Sequence, residues 1–242
     1  MRRRRAGAAV CAALAAALLT GCGQQHGGGG TVARGDEAGG AGGTGAAPPP
    51  VLDHVPTHGD RVVFLTYDDG AERAPGFTDL VRDRRLPVTL FLADTVAGPA
   101  YGHFARLRAV GASLQNHTLD HTVLRGLPHA GQHAEICGQQ RKLNSRFGVR
   151  PRLLRPPHGR YDAATLRAAA DCGITAVVLW RAAPDATGSL AFTRGEPRLR
   201  PGDIIAVDPD HPAPHSLTQR TEHLLRQIEA AGLRVAALEE YL

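Results

Sequence analysis

The chain has 242 residues, 43% of them hydrophobic and 21% charged, which suits one large folded domain or two small ones. Its formal charge is +5, but residues 1–21 carry four of the 28 basic residues and no acidic one, so the remainder holds 24 basic against 23 acidic, a net of +1. With only 5% aromatic residues, that balance argues against a single-strand stacking platform and gives no support to a basic nucleic-acid surface.

Arg2 to Arg5 form a positive start, and Ala8 to Leu19 a short apolar stretch. Such a stretch is too short for a comfortable membrane span and fits a secretory signal. Leu19-Thr20-Gly21-Cys22 then resembles the lipobox of bacterial lipoproteins. The resemblance implies a signal peptide over 1–21, cleavage before Cys22, and diacylation of its thiol. The protein would be exported and lipid-anchored to the outer face of the bacterial cell membrane. More than one acyl chain is needed for firm anchoring. The alternative is a plain signal peptide with an incidental cysteine. Cys11 leaves with the signal, and Cys137 and Cys172 remain, an even pair that suits an oxidising compartment. A disulfide and two buried free thiols both stay open, because sequence does not set the distance.

Residues 22–58 are dominated by Gly, Ala and Pro and end near Pro48-Pro49-Pro50. They offer too little apolar surface to offset chain entropy and read as a flexible tether with a stiffer end. The folded domain is expected over 59–242. Arg61 to Thr66 and Pro87 to Leu92 read as buried strands. Weaker strand candidates are Ala112 to Gln115, Pro151 to Leu154, Ile174 to Trp180, Asp203 to Val207 and Leu233 to Leu238. Helical patterns fall between many of them. Ile136, Leu143 and Phe147 share one helical face, Ala163 to Ala170 has Asp162 as its N-cap, and Leu217 to Ala231 is amphipathic with Gly232 as its stop. Strands alternating with helices predict a mostly parallel α/β fold, with function at the carboxyl ends of the strands. Pattern alone leaves an open doubly wound sheet and a barrel both standing.

Three clusters fall at such strand ends. Thr66-Tyr67-Asp68-Asp69-Gly70 sets two adjacent carboxylates at a turn, where one can bind a metal while the other takes a proton. By itself it also reads as an Asp-Gly turn. Asn116-His117-Thr118-Leu119-Asp120-His121 spaces two imidazoles at i and i+4, which share a face if the segment is helical. With 12 histidines in the chain, chance pairs are not rare. Asp69, His117 and His121 together would make a two-histidine, one-carboxylate site with open positions, a catalytic rather than a closed structural arrangement. Arg155-Pro156-Pro157-His158-Gly159-Arg160-Tyr161-Asp162 fixes an unusual backbone path that can aim an amide at a developing oxyanion.

In this order, TYDDG, HTLDH and RPPHG resemble the polysaccharide deacetylase family with the NodB homology domain, carbohydrate esterase family 4, over roughly Gly59 to Leu242. The resemblance implies a distorted, incomplete (β/α) barrel with about seven parallel strands. It implies a metal-dependent hydrolase that acts on a carbon–nitrogen, non-peptide bond and removes N-acetyl groups from a cell-wall or chitin-like polysaccharide. Asp69, His117 and His121 would hold a divalent metal, most often zinc, and the donor set also accepts cobalt or nickel. Asp68 would be the general base for water activated at the metal, and Arg155 would orient and tune it. Thr118 would steady the histidine loop, and the loop at His158 would offer its backbone N–H to the oxyanion. The leaving amine also needs an acid. The family's late motif ends an apolar strand in His, whereas here Gly202 to Val207 is followed by Asp208, and the Trp-plus-Asp motif is thinned to Trp180 followed by Arg181-Ala182-Ala183-Pro184-Asp185. His211, three residues beyond Asp208, is the candidate acid if the loop is reshaped, with His215 four further on. The alternative is that both lie on a Pro-rich surface loop. The second functional reading is therefore a catalytically weakened member that acts as a metal- and glycan-binding surface lipoprotein. O-acetyl esterase activity is a further option.

Overall fold

The computed structural model describes residues 47–70, 73–208 and 215–242. The expected signal peptide, Cys22, most of the expected tether and His211 lie outside the described residues. In chain order the elements are β1 (Val51–Leu52), β2 (Val62–Tyr67), α1 (Pro75–Arg84), β3 (Val88–Leu92), α2 (Asp94–Ala97), α3 (Tyr101–Ala109), β4 (Ser113–Asn116) and α4 (His129–Phe147). Then come β5 (Leu153–Leu154), α5 (Ala163–Asp171), β6 (Ala176–Val178), β7 (Ala182–Pro184), β8 (Leu190–Phe192), β9 (Ile204–Val207), α6 (Leu217–Ala230) and β10 (Arg234–Val235).

The strands form one curled sheet in the order β1-β6-β5-β4-β3-β2-β9-β7-β8, with β10 pairing the start of β2. The pairing of β7 with β8 is antiparallel, and the other strand pairings among the described residues are parallel. This is the half-barrel of an incomplete (β/α) barrel. It holds more strands than the expected seven. Val51–Leu52 is an added edge strand, and Ala182–Pro184 with Leu190–Phe192 form a short hairpin on β9.

Strand β2 shows how sequence sets the two layers. VVFLTY is buried at every position, as expected for a parallel strand covered on both faces. Its side chains alternate. Val63, Leu65 and Tyr67 join the cluster that includes Phe77 and Val81 of α1 and Leu224 and Ile228 of α6. Val62 and Phe64 point into the curl, against Phe91, Leu153, Val178 and Ile204. The remaining inward residue is Thr66, the only polar one on that face, and it meets Arg155 (below).

The expected helices form, each with an identifiable boundary. Asp162 caps α5: its carboxylate accepts from Thr165 N at 2.9 Å, and its own amide donates to Thr165 Oγ1 at 3.0 Å. Ser216 and Gln219 make the same reciprocal cap on α6. In α4, Ile136, Leu143 and Phe147 are buried, and the helix stops at Gly148.

One sequence expectation shifts and one open choice is resolved. Ordered structure begins before Gly59: Val51 and Leu52 lie in register with Val177 and Val178, and Val55, 1% exposed, donates to Gly202 O at 2.9 Å. A pair of apolar residues after the prolines is enough for an edge strand when a buried neighbour is already in place. Cys137, midway along α4, and Cys172, at the end of α5, form a disulfide with Cα atoms 5.1 Å apart. The free-thiol alternative is thereby set aside. Replacing both cysteines by alanine is expected to lower the unfolding free energy by about 2–4 kcal/mol, because the bridge closes a long loop in the unfolded chain. Urea unfolding of parent and variant measures it, and an unchanged midpoint would mean that packing alone holds α4 to α5.

Candidate active site

Two consecutive side chains on a strand point to opposite faces, so two adjacent carboxylates reach one mouth only if the strand is broken between them. That happens at the end of β2. Asp69 has φ 63° and Gly70 φ 84°, left-handed values that Asp tolerates better than most residues and that Gly adopts freely. Gly70 is also required by space. A Cβ there would sit 2.8 Å from Phe104 Cζ and 2.9 Å from Leu92 Cδ2.

The histidine segment is a loop and not a helix, so the i, i+4 face expected from its spacing does not exist. Thr118 and His121 take positive φ, 73° and 54°, and the chain folds back so that the two rings lie 5.0 Å apart. Asn116 shapes this turn. Wholly buried, it accepts from Thr118 N at 2.8 Å and donates to Ile136 O at 2.9 Å. Asn116, which sequence reasoning passed over, thus steadies the loop; Thr118 contributes its backbone, and its buried hydroxyl has no hydrogen-bond partner among the described residues.

Arg155, 0% exposed, fills the inside of the curl below the mouth. Its Nη1 donates to Asp68 Oδ1 at 2.6 Å and to Thr66 Oγ1 at 2.7 Å, its Nε to Val178 O at 3.2 Å, and its Nη2 to Leu179 O at 3.1 Å. The guanidinium also lies 4.3 Å from the Phe91 ring centroid. Burial pushes the Arg155 group down, and the charge and hydrogen bond of Asp68 oppose it. The next residues form a single 3₁₀ turn, Pro157–Gly159, with His158 at φ 56°.

Asp69, His117 and His121 converge. Asp69 Oδ1 lies 3.2 Å from His117 Nε2 and 2.9 Å from His121 Nε2, and the candidate ligand atoms all fall within 4.8 Å of one another. His117 Nδ1 is 2.7 Å from Arg155 O. A carbonyl only accepts, so Nδ1 carries the proton, and the lone pair of neutral His117 is on Nε2, facing the cluster. Asp69 Oδ1 is buried against these two imidazole nitrogens. Burial pushes the Asp69 carboxyl up, but contacts with His117 and His121 outweigh it and hold the group well below the usual carboxylate range. The hydrogen bond to Asp69 is the main cause that raises His121. A buried carboxylate oxygen and two imidazole nitrogens that converge within 4.8 Å form a donor set that fits a divalent cation.

The cluster opens into a cavity of about 420 Å³ lined by Asp68, Asp69, His117, His121, His158 and Asp208, with Trp180 and Pro184 as walls. The His158 ring meets that of His121 edge-on, with centroids 5.1 Å apart. Asp208 emerges beside Asp68, because Tyr67 and Val207 are in register across β2 and β9. His215 opens instead on a neighbouring cavity bounded by Asp185, His223 and Arg226. Arg181, in the thinned motif, turns away into a buried bidentate pair with Asp203.

The family model for polysaccharide deacetylase matches residues 56–177. A protein of Streptomyces coelicolor without an assigned function is 73% identical over 192 residues, covering 79% of this chain and 77% of its own. A chitooligosaccharide deacetylase of Bradyrhizobium is 31% identical over 122 residues, 49% of this chain and 56% of its own. This chain thus spans about half the length of the latter. In fold, a carbohydrate esterase family 4 pseudoenzyme from Bacillus anthracis superposes with a TM-score of 0.66 at 17% identity, covering 81% of this chain and 69% of that one. Deacetylase-like sequence over half the chain and a matching half-barrel agree: the chain belongs to the polysaccharide deacetylase family.

Proposed function

We propose that the protein is a metal-dependent hydrolase that removes N-acetyl groups from a cell-wall or chitin-like glycan. One observation carries this reading. A base carboxylate, Asp68, fixed by a buried arginine, stands beside a convergent two-histidine, one-carboxylate donor set in one open mouth.

A divalent cation on Asp69, His117 and His121, zinc or in its place cobalt or nickel, would polarise the acetyl carbonyl and acidify a water. The chain's own residues supply the rest. Asp68 takes the water's proton while Arg155 holds its carboxylate in place. The His158 turn offers a backbone amide to the oxyanion. The leaving nitrogen then needs a proton. Among the described residues, His158 and Asp208 are the titratable groups of the mouth outside the donor set and Asp68. His211, three residues beyond Asp208 in sequence, stays a candidate.

The end of β9 favours a second reading, a metal- and glycan-binding protein with little turnover, because a carboxylate rather than an imidazole stands there. We further propose that Cys22 is the lipidated first residue of an exported protein held at the outer face of the cell membrane. The test of activity is acetate release from N-acetylglucosamine oligomers and peptidoglycan fragments, first metal-stripped and then with zinc or cobalt. Metal-dependent release is expected. Tight metal binding with no release from N- or O-acetylated glycans would transfer the protein to the second reading.

A further inference from the structure

The parallel strands give the domain two unlike ends. Their carboxyl ends carry the mouth, with Asp68, Asp69 and Asp208, and the N-cap Asp162 of α5. Their amino ends are reached by loops rich in arginine. Arg84 and Arg85 lead into β3, Arg108 into β4, and Arg150 and Arg152 into β5. All five are exposed. Because β3, β4 and β5 are neighbours in the sheet, these loops lie side by side, about 5 Å per strand. Arg141 joins Arg150 and Arg152 around a shallow cavity of about 470 Å³. The acid nearest in sequence, Asp83, is taken by Arg82 at 3.0 Å. Next to β10 the balance is different. There Asp60 and Glu240 line a hollow at the start of β2 and the chain terminus, and Glu239 accepts from Thr89 of β3 and Gln115 of β4, so these acids offset the exposed Arg61 and Arg234 and the arginine excess lies on the β3–β5 loops.

The chain enters the domain from this same end. Pro50 O accepts from Val177 N at 2.9 Å, and β1 runs parallel to β6. Residues 48–50 therefore approach from the side of Arg152 and Thr175, opposite the mouth. Only 28 residues, 23–50, separate Cys22 from that point.

We propose that the arginine-lined end is a docking surface for an anionic lipid membrane, and that docking there turns the mouth away from the membrane toward the wall. Charge complementarity selects the occupant, since arginines near an anionic surface are each attracted over about a Debye length. The position at which the chain enters selects the source. The biological setting rests on the reading of Cys22 as an anchor, but the surface itself does not.

The experiment therefore uses the chain from residue 22 with Cys22→Ser, so that no acyl chain contributes. It is sedimented with vesicles of phosphatidylcholine alone and with vesicles containing about one third phosphatidylglycerol. Binding is expected to be at least about tenfold tighter to the anionic vesicles and to fade in high salt. Combined replacement of Arg85, Arg108, Arg150 and Arg152 by Gln is expected to remove the preference while leaving the melting temperature and any acetate release unchanged. Equal binding to both vesicles, or full binding by the quadruple variant, would overturn the proposal. So would binding to a soluble phosphate-backbone wall polymer without vesicle binding. A protein that docks but releases no acetate would fail the deacetylase reading alone.

Discussion

Asp68→Asn is expected to lower turnover on an N-acetylated glycan by about 10²–10⁴-fold, the usual worth of a positioned base, while leaving metal affinity intact. The reasoning is geometric. Asp68 and Asp69 are neighbours in sequence, but the left-handed turn at Asp69 separates their roles. Asp69 Oδ1 faces the two imidazoles, and Asp68 Oδ1 faces Arg155. Asparagine keeps the shape and can still accept a hydrogen bond from Arg155, but it has no carboxylate to receive a proton. Asp69→Ala is the matched control. It removes the only carboxylate of the donor set, so metal binding and turnover fall together. Calorimetric metal titration beside acetate release separates the two outcomes. If Asp68→Asn keeps turnover near that of the parent, the base lies elsewhere in the mouth.

Much of this arrangement is legible in sequence because it lies at the ends of strongly apolar strands. VVFLTY before Asp68 and VTLFL in β3 leave few alternatives to buried parallel strands. Asp162 and Ser216 announce their helices by local chemistry that needs no tertiary partner. The short hairpin of β7 and β8 escapes for the opposite reason. Ala-Ala-Pro and Leu-Ala-Phe have no strand signal of their own, and they pair only because β9 presents an edge. The HxxxH spacing singles out two histidines that the fold does bring together, but by a geometry other than a helical face. A helix would align the rings by periodicity, whereas the chain aligns them through positive φ at Thr118 and His121, stabilised by Asn116. An asparagine just before a histidine carries no such meaning until the turn it supports is known. The Cys137–Cys172 bridge is likewise a matter of distance between two helices, which no spacing encodes.

Replacing Arg155 by Met is expected to destabilise the fold by about 3–5 kcal/mol, the range for stripping one partner from a buried ion pair, and to depress turnover as well. Methionine fills much of the same space inside the curl, so the loss is mainly electrostatic and not a cavity. Asp68 loses its counter-ion, and the carbonyls of Val178 and Leu179 and the hydroxyl of Thr66 lose their donor. The carbonyl of Val178 and the hydroxyl of Thr66 are buried and cannot turn to bulk water without opening the sheet. Arg155→Lys discriminates between charge and shape. One ammonium restores the positive charge but cannot reach Asp68, Thr66 and two carbonyls at once as the planar guanidinium does. Lysine is therefore expected to recover part of the stability and little of the turnover, with the fall in kcat and not in KM, since Arg155 is buried beneath the mouth and offers the glycan no surface. Urea unfolding and steady-state kinetics on the three proteins decide it. A lysine variant with full turnover would mean that charge alone positions Asp68. A methionine variant as stable as the parent would mean that the buried network contributes specificity of geometry without net stability, as buried ion pairs in other proteins have done.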